Sequence, residues 1–284
     1  MFLLAGIHIL GYRMADPRIK VVEIPSLVIV KTVAGLVWVW SSRFVRSRVL
    51  RISIATAFLL FTGIVESEIK VIAGIYKATP IDEQMQAVMA DVADRAGFDL
   101  TRIYISDSKN KSMYYTRSIF TEVVVVSTTM VTAYTRRREK DVVEALLSHE
   151  LGHRHHHDLA IEAVLEAGCY LSTSILAEYM RANSSLFFAF GFTDEPAIVA
   201  WSFAEFAVSL LRGITQPVEQ WVWRLQEYAA DRYAALGGHA PALCRFLTSH
   251  VRGEEKRTWL YKVLYGNHPS IHSRLERLRP FIST

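Results

Sequence analysis

The stretch His149-Glu150-Leu151-Gly152-His153 constrains the fold of this chain more than any other feature. Residues four apart lie on the same face of an α-helix, so the spacing predicts that His149 and His153 share one helical face. Two imidazoles placed in this way can bind one zinc ion. The fold must therefore present this helix to at least one further ligand from elsewhere in the chain.

Glu150 follows the first histidine, where its carboxylate can reach a water on the metal and take its proton. Zinc lowers the pKa of such a water from about 16 to roughly 7, which makes a nucleophile available at neutral pH. The pattern alone leaves an alternative open, namely a surface helix with two histidines and a glutamate. The neighbouring run His155-His156-His157 continues the same helix, and we interpret it neither as a tag nor as a ligand set.

A third ligand should lie downstream, because catalytic zinc usually has three protein ligands and one open position. Glu227 is the best candidate, since it lies four residues before Asp231 on an alanine-rich helix and the two carboxylates share a face. We predict that Glu227 binds the metal and that Asp231 orients His149 or His153. The alternative is an exposed helix with a Glu–Asp pair.

A third element lies near the end of the chain, at Asn267-His268-Pro269, with Arg274 shortly after it. A histidine and an arginine outside the metal ligands can stabilise an oxyanion as its charge develops. A histidine before proline is also common where a helix begins, so this element is weak on its own.

Composition favours a membrane and gives no nucleic-acid signature. Hydrophobic residues make up 51% of the 284 residues, a high share for a soluble enzyme, and the net charge is a modest +4. Arginines cluster beside apolar segments, at Arg43, Arg46, Arg48 and Arg51 and again at Arg136, Arg137 and Arg138. This placement is typical of the cytoplasmic side of a membrane. The two cysteines predict no disulfide framework.

Four apolar segments are candidates for spanning or lining a membrane, namely Leu27–Trp40, Ile52–Val65, Leu159–Met180 and Ala197–Ile214. The first two are shorter than the roughly 20 residues that cross a bilayer, although their flanks could extend them. The last two contain acidic residues, at Glu162, Glu166, Glu178 and Glu205. These helices therefore either face a water-filled cavity or do not span the membrane.

A stretch of soluble character separates the two pairs of apolar segments. Its pattern predicts an amphipathic helix at Asp82–Ala96 and strands at Arg102–Ser106 and Glu122–Ser127. The segment Asp107–Phe120 between the strands is predicted to be a hairpin or an edge strand. Because an edge strand beside the motif helix can pair with an extended peptide, we predict substrate docking there.

The three motifs, in this order, resemble those of the integral-membrane gluzincin peptidases. The resemblance is carried by His149–His153 with Asp158, by Arg224 with Glu227–Asp231, and by His268-Pro269 with Arg274. That superfamily includes the type 1 CAAX prenyl proteases and the bacterial HtpX-type quality-control proteases. The chain is more similar to the first branch in three further segments, Ala73–Ile81, Phe188–Phe192 and Leu236–Ala240.

The resemblance implies a mainly α-helical integral-membrane zincin, in which a helical bundle joins a small β-sheet at the catalytic domain. It implies one zinc ion per chain, held by His149, His153 and Glu227, with Glu150 as general base and acid. It also implies that Asp231 supports a histidine ligand and that His268 and Arg274 stabilise the tetrahedral intermediate. A hydrated chamber, which the family encloses, would accommodate the acidic residues of the apolar helices.

We expect an N-terminal membrane region at residues 1–72 with about two spans, followed by a zinc metallopeptidase domain at residues 73–284. The domain includes two further apolar helices, at about 159–180 and 197–214. The implied partners are a lipid bilayer and a peptide or protein substrate, prenylated in the CAAX branch, and no nucleic acid. The implied location is an internal membrane, the endoplasmic reticulum if the source is eukaryotic.

The chain departs from the family in the substrate strand, where Ser112–Tyr115 replaces an Asn-Ala-Tyr/Phe element, and at Gln220 and Trp223. Three functions therefore stay open. The first is removal of the C-terminal tripeptide from prenylated CAAX proteins by a zinc endopeptidase. The second is HtpX-like degradation of damaged membrane proteins, and the third is a non-catalytic membrane scaffold that retains the fold.

Overall fold

A computed structural model describes residues 23–76, 78–81, 83–107, 112–117, 121–136, 139–192, 197–250 and 268–282. Some sequence-based predictions fall outside these residues, among them Asn267, Arg137, Arg138 and parts of the segment Asp107–Phe120. The chain forms two compact units, which alternate along the sequence. The first unit comprises Met1–Val65 and Glu162–Gln216, and the second comprises Glu66–Ile161 and Pro217–Thr284.

The helices are α1 (Glu23–Phe44), α2 (Arg48–Tyr76), α3 (Glu83–Arg95), α4 (Thr128–Arg136), α5 (Lys140–His155), α6 (Asp158–Arg181), α7 (Ser184–Ala189), α8 (Ala197–Leu236), α9 (Ala240–His250) and α10 (Ile271–Leu278). The strands are β1 (Ala78–Pro80), β2 (Ile103–Ser106), β3 (Met113–Arg117) and β4 (Glu122–Ser127). Short 3-10 helices lie at Leu100–Arg102 and Arg279–Phe281. The mainly helical fold with a small sheet, as predicted, is confirmed.

The first unit is a helical bundle with an aromatic and alanine-rich core. The rings of Trp38 on α1 and Trp201 on α8 pack against each other with centroids 5.7 Å apart. A Cβ at Gly35 would lie 2.7 Å from the Trp201 ring, so only glycine allows this approach. Small residues at such contacts let helices pack closely where lipid, and not water, is the alternative surrounding.

A buried ion pair joins two helices of the first unit. Nε of Arg51 on α2 donates to Oε1 of Glu178 on α6 at 2.6 Å, and Nη2 donates to Oε2 at 2.7 Å. Nη1 of Arg51 also donates to the carbonyl oxygens of Val45 and Arg46. Glu166 also has an arginine partner, since Nη2 of Arg212 donates to its Oε2 at 3.2 Å. Among the acidic residues predicted to need a polar surrounding, Glu166 and Glu178 are therefore compensated by arginines.

Two described helices contain segments that are long and apolar enough to cross a membrane, at Arg48–Val65 and Ala160–Arg181. A third candidate exists if Ala197–Gly213 and Thr215–Leu236 are counted as one broken span. Large apolar side chains of these helices are exposed, as in Phe61, Val164 and Leu210. Such a surface is suited to lipid and unfavourable in water.

The second unit contains a four-stranded sheet in the order β1-β2-β4-β3. Strands β2 and β4 are parallel, whereas β1 pairs with β2 and β3 pairs with β4 in antiparallel fashion. Val124 and Val126 of β4 share one core with the apolar faces of α3, α5 and α9. Strand β3, in the segment for which a hairpin or an edge strand was predicted, lies at an edge of this sheet.

Candidate metal centre

Helix α5 carries the His-Glu-His motif, and the packing of its apolar residues fixes its position. The buried residues of α5 include Val142, Val143, Ala145, Leu146, Leu147 and Leu151. The rings of His149 and His153 then lie on one face, with their centroids 5.0 Å apart. Local sequence therefore places both imidazoles, as their spacing of four predicts.

Glu227 on α8 completes a group of three ligand atoms. One atom each from His149, His153 and Glu227 lies within 4.8 Å of the others. Nε2 of His149 is 3.6 Å from Glu227 Oε2, and Nε2 of His153 is 3.8 Å from Glu227 Oε1. Within the described residues, this is the group of His, Cys, Asp and Glu side chains that could hold a metal ion.

The donor set fits a divalent transition ion. Two imidazole nitrogens and one carboxylate oxygen converge, which is the ligand set of several catalytic zinc sites. Glu227 is buried, and its Oε2 accepts no well-directed hydrogen bond. Nη1 of Arg274 lies 3.1 Å from this oxygen without forming a directed hydrogen bond, so the oxygen keeps lone pairs available to a metal ion. The structure thus brings the three predicted ligands together in a site that suits a metal.

Gly152 explains how α8 comes close enough to contribute Glu227. A Cβ at this position would lie 2.8 Å from Cα of Ala230 and 3.2 Å from its carbonyl oxygen. Both are backbone atoms of α8, so neither can move aside without displacing the helix. The glycine inside the motif therefore permits the close crossing of α5 and α8.

Each motif histidine has a carboxylate behind it. Nδ1 of His149 lies 3.0 Å from Asp231 Oδ1, and Nδ1 of His153 lies 2.7 Å from Asp158 Oδ2. Such a partner holds the proton on Nδ1 and leaves Nε2 free to bind a metal. Asp231 thus lies beside His149, one of the two histidines that it was predicted to orient. Asp158 was noted in the sequence without a role, although a carboxylate five residues after the second histidine was a usable signal.

The surroundings of His153 change its protonation. Burial acts to lower its pKa, but the hydrogen bond to Asp158 and the negative charges of Glu150 and Glu227 outweigh that effect. The pKa of His153 is therefore raised above its ordinary value. Because protons and metal compete for the imidazole, acid should displace a metal from this site readily.

Glu150 lies beside the edge strand. The backbone N–H of Tyr115 on β3 donates to Glu150 Oε2 at 2.9 Å. Burial raises the pKa of Glu150, while the charges of His149 and His153 act in the opposite direction. A carboxyl group with a raised pKa is suited to taking up and returning a proton near neutral pH.

The two C-terminal candidates contact the acidic residues of α8. Arg274 on α10 donates to both oxygens of Asp231, at 2.7 and 2.6 Å, and its Nη1 lies 3.1 Å from Glu227 Oε2. Nδ1 of His268 lies 2.8 Å from Glu227 Oε1, and its side chain is 61% exposed. The structure brings both residues to the metal group, with the guanidinium of Arg274 directed at carboxylates.

Helix α10 is held against α8 by further contacts. The hydroxyl groups of Tyr228 and Ser273 are 2.5 Å apart, and the guanidinium of Arg277 lies over the Tyr228 ring at 3.8 Å. Ser270 caps the start of α10 by accepting a hydrogen bond from the Ser273 N–H. These contacts fix the helix that presents Arg274.

Two histidines one helical turn apart, a glutamate between them and a carboxylate from a second helix define the class of zincin-like metallopeptidases. The sequence model of peptidase family M48 matches residues 80–282. The chain therefore belongs to peptidase family M48, a family of metallopeptidases.

Individual relatives agree with this membership. The chain is 27% identical to CAAX prenyl protease 1 of Saccharomyces cerevisiae over 228 residues, which cover 71% of this chain and 49% of that protein. It is 27% identical to probable CAAX prenyl protease 1 of Schizosaccharomyces pombe over 213 residues, which cover 72% and 44%. It is 25% identical to a protease HtpX homolog of a Sulfurovum species over 229 residues, which cover 72% and 79%. The chain thus spans about half the length of the yeast relatives.

The fold is similar to that of a solved structure, the crystal structure of Ste24p from S. mikatae. The two structures have a TM-score of 0.69 and 22% sequence identity. The match covers 98% of this chain and 66% of that chain. The predicted resemblance to membrane gluzincins, with its CAAX prenyl protease and HtpX branches, is confirmed.

Proposed function

We propose that the protein is a zinc-dependent integral-membrane endopeptidase that removes the C-terminal tripeptide of prenylated CAAX proteins. The observation that carries the proposal is the convergence of His149, His153 and Glu227 beside Glu150 and the edge of β3. The names of the two yeast relatives support the substrate class.

In this proposal, His149, His153 and Glu227 hold one zinc ion. When bound, zinc supplies a Lewis acid that polarises the scissile carbonyl group and lowers the pKa of water. Glu150 takes a proton from the attacking water and returns it to the leaving amine. Asp231 and Asp158 keep the Nε2 atoms of the two histidines directed at the metal.

The substrate backbone adds to the outer edge of β3, where its main-chain groups can pair with those of the strand. His268 is exposed at the site, so its imidazole can donate to the oxyanion as charge develops. Arg274 contributes positive charge to the same region, but its nitrogen atoms are directed at Asp231 and Glu227. Arg274 therefore acts mainly by compensating the negative charges of Asp231 and Glu227.

We also propose that the apolar helices lie in a bilayer, which is the endoplasmic reticulum membrane in a eukaryotic source. Three exposed arginines lie in or beside the turn between α1 and α2, namely Arg43, Arg46 and Arg48. Positive residues beside a span favour the cytoplasmic side, so this turn is assigned to that side. Retention of the protein in membranes after a carbonate wash tests whether the helices lie in a bilayer, and release into the soluble fraction contradicts it.

An HtpX-like quality-control function is the second candidate. The share of each relative that aligns with this chain favours it. That share is 79% for the HtpX homolog and about half for each yeast protein. The two functions differ in whether a lipid on the substrate improves cleavage. A third possibility, a non-catalytic scaffold, predicts no turnover of any peptide.

A cleavage assay separates the three functions. Purified protein is given a farnesylated CAAX peptide, the same peptide without the lipid and an unfolded membrane protein, with Glu150→Gln as the inactive control. Faster cleavage of the farnesylated peptide supports the first function. Equal cleavage of both peptides together with degradation of the membrane protein supports the second. A protein that binds no stoichiometric zinc contradicts both enzymatic proposals.

A further inference from the structure

Glu122, the first residue of β4, accepts four hydrogen bonds from three other parts of the second unit. Arg154 donates from Nε to Oε2 at 3.1 Å and from Nη2 to Oε1 at 3.4 Å. The Tyr115 hydroxyl donates to Oε2 at 3.2 Å, and Arg102 donates to Oε1 at 2.9 Å. The Glu122 side chain is 16% exposed, so water screens these contacts only in part.

Arg154 connects Glu122 to the motif helix. It follows His153 in the last turn of α5, one turn after Glu150. Its Nη1 donates to the carbonyl oxygen of Ala96 at 3.0 Å, and its guanidinium lies 5.7 Å from the centre of the Phe98 ring. The side chain is therefore held at several points, and it ties the end of α5 to Glu122.

Tyr115 connects Glu122 to the edge strand. The backbone N–H of Ser127, the last residue of β4, donates to the carbonyl oxygen of Ser112. Because backbone direction alternates along a strand, Tyr115, three residues on, directs its backbone groups away from β4. Its N–H donates to Glu150, while its hydroxyl donates to Glu122. Burial raises the pKa of Tyr115 to about 12, and the charge of Glu122 adds to the effect, so the phenol keeps its proton as a donor.

We propose that Glu122 is a positioning residue that joins Tyr115 and Arg154 into a brace between β3 and α5, and so sets the distance from the substrate-binding edge to Glu150. This inference rests on the proposed peptidase function. A shift of about 1 Å between a substrate and a catalytic group can cost roughly 100-fold in rate, so the brace affects catalysis without touching the substrate. We define the brace as Tyr115, Glu122 and Arg154.

Three variants test the brace. Tyr115→Phe removes the hydroxyl and keeps the backbone N–H. Glu122→Gln removes the charge and keeps the size of the side chain. Arg102→Gln is the matched control, because it removes a cation from the same carboxylate, contacts neither β3 nor α5 through that bond and is half exposed.

Each variant is purified as the full chain, and its zinc content, melting temperature, kcat and KM are measured with a peptide that the wild type cleaves. Active sites are counted by titration with a hydroxamate inhibitor, which corrects kcat for unfolded protein. We expect Tyr115→Phe and Glu122→Gln each to lower kcat per active site by about tenfold or more with little change in KM. The double variant should lose little more than Glu122→Gln alone, because both substitutions break one brace.

Hydrogen exchange gives a readout that does not need activity. The Tyr115 amide should exchange faster in Tyr115→Phe and Glu122→Gln than in the wild type, and Arg102→Gln should match the wild type in exchange and in kcat. An unchanged exchange rate together with an unchanged kcat per active site in Glu122→Gln would overturn the proposal. So would a loss of kcat in Arg102→Gln as large as that in Glu122→Gln. A wild type without peptidase activity overturns the proposed function instead, and exchange then decides on the brace alone.

Discussion

The backbone N–H of Tyr115 donates a hydrogen bond of 2.9 Å to Oε2 of Glu150, although the two residues are 35 positions apart in the sequence. The edge strand and the motif helix therefore meet at the residue proposed to transfer protons. A peptide that adds to β3 brings its backbone to the side of Glu150. In the proposed function, the contact between β3 and α5 thus sets where the substrate lies relative to Glu150.

Replacement of Glu150 by glutamine should abolish turnover and keep the metal. The amide has nearly the same shape but cannot take a proton from water, so we expect kcat to fall by about 100- to 10,000-fold. Zinc content, measured by atomic absorption, should equal that of the wild type. Glu144→Gln, on the same helix and outside the metal group, is the control. A Glu150→Gln protein that cleaves as well as the wild type contradicts the assigned role.

Asp158→Asn should weaken metal binding. Asp158 holds Nδ1 of His153 at 2.7 Å, and loss of such a partner typically lowers metal affinity by about 10- to 100-fold. Competition with a chromophoric chelator measures the zinc dissociation constant. The exposed Asp94→Asn is a matched control that should bind zinc as the wild type does. Equal affinity in Asp158→Asn and wild type would show that Asp158 has no part in the site.

The pH dependence of zinc affinity should report the raised pKa of His153. Protonation of His153 competes with the metal, so affinity is constant above this pKa and falls as the pH drops through it. Because the pKa is raised from the ordinary histidine value of 6.5, the fall should begin above pH 6.5 in the wild type. In Asp158→Asn it should begin at lower pH, since the hydrogen bond that favours the charged imidazole is weakened. If the zinc affinity of the wild type begins to fall only below pH 6.5, the pKa of His153 is not raised.

Gly152→Ala should destabilise the second unit and weaken metal binding together. The added Cβ would lie 2.8 Å from Cα of Ala230, so α5 and α8 must separate, at a cost of about 1–3 kcal/mol. Gly168→Ala on α6 is the control, because a Cβ there meets nothing within 4 Å and alanine favours a helix. Thermal unfolding and zinc affinity are measured for both variants. A fully stable Gly152→Ala protein with normal zinc affinity contradicts the close crossing.

Removal of one partner of the Arg51–Glu178 pair should destabilise the first unit. Both side chains are buried, and an uncompensated buried charge costs about 3–5 kcal/mol. Glu178→Leu should therefore unfold at lower temperature than the wild type, whereas Arg51→Met with Glu178→Leu should recover much of the loss, because no charge is left unpaired. Thermal unfolding in detergent is the measurement. If Glu178→Leu alone is as stable as the double variant, the unpaired charge of Arg51 does not destabilise the unit.

Local spacing made much of the site predictable. His149 and His153 share a face because a helix repeats every 3.6 residues, and the same argument placed Glu227 with Asp231. The edge strand within Asp107–Phe120 also followed from its position between two predicted strands. The family came from the order of three motifs, and the match to peptidase family M48 confirms it.

Other features depended on packing between distant segments. No sequence pattern connects Glu122 with Arg154. The same is true of Arg51 and Glu178, which are 127 positions apart. Arg274 was predicted to face an oxyanion, and its placement against Asp231 follows from how α10 packs on α8. Side-chain partners of this kind depend on the paths of whole helices, which no local pattern specifies.

By itself, the sequence determined which side chains could bind a metal, which helical faces carry them and which class of peptidase has them in this order. Those properties depend on residue chemistry and on the fixed period of the helix. Only the tertiary structure decided that Asp158 supports His153, that Tyr115 contacts Glu150 and that Glu122 connects the edge strand to the motif helix. The pairings of Tyr115 and Glu122 exist because β3 and β4 pack beside α5, which brings together residues that lie far apart in the sequence.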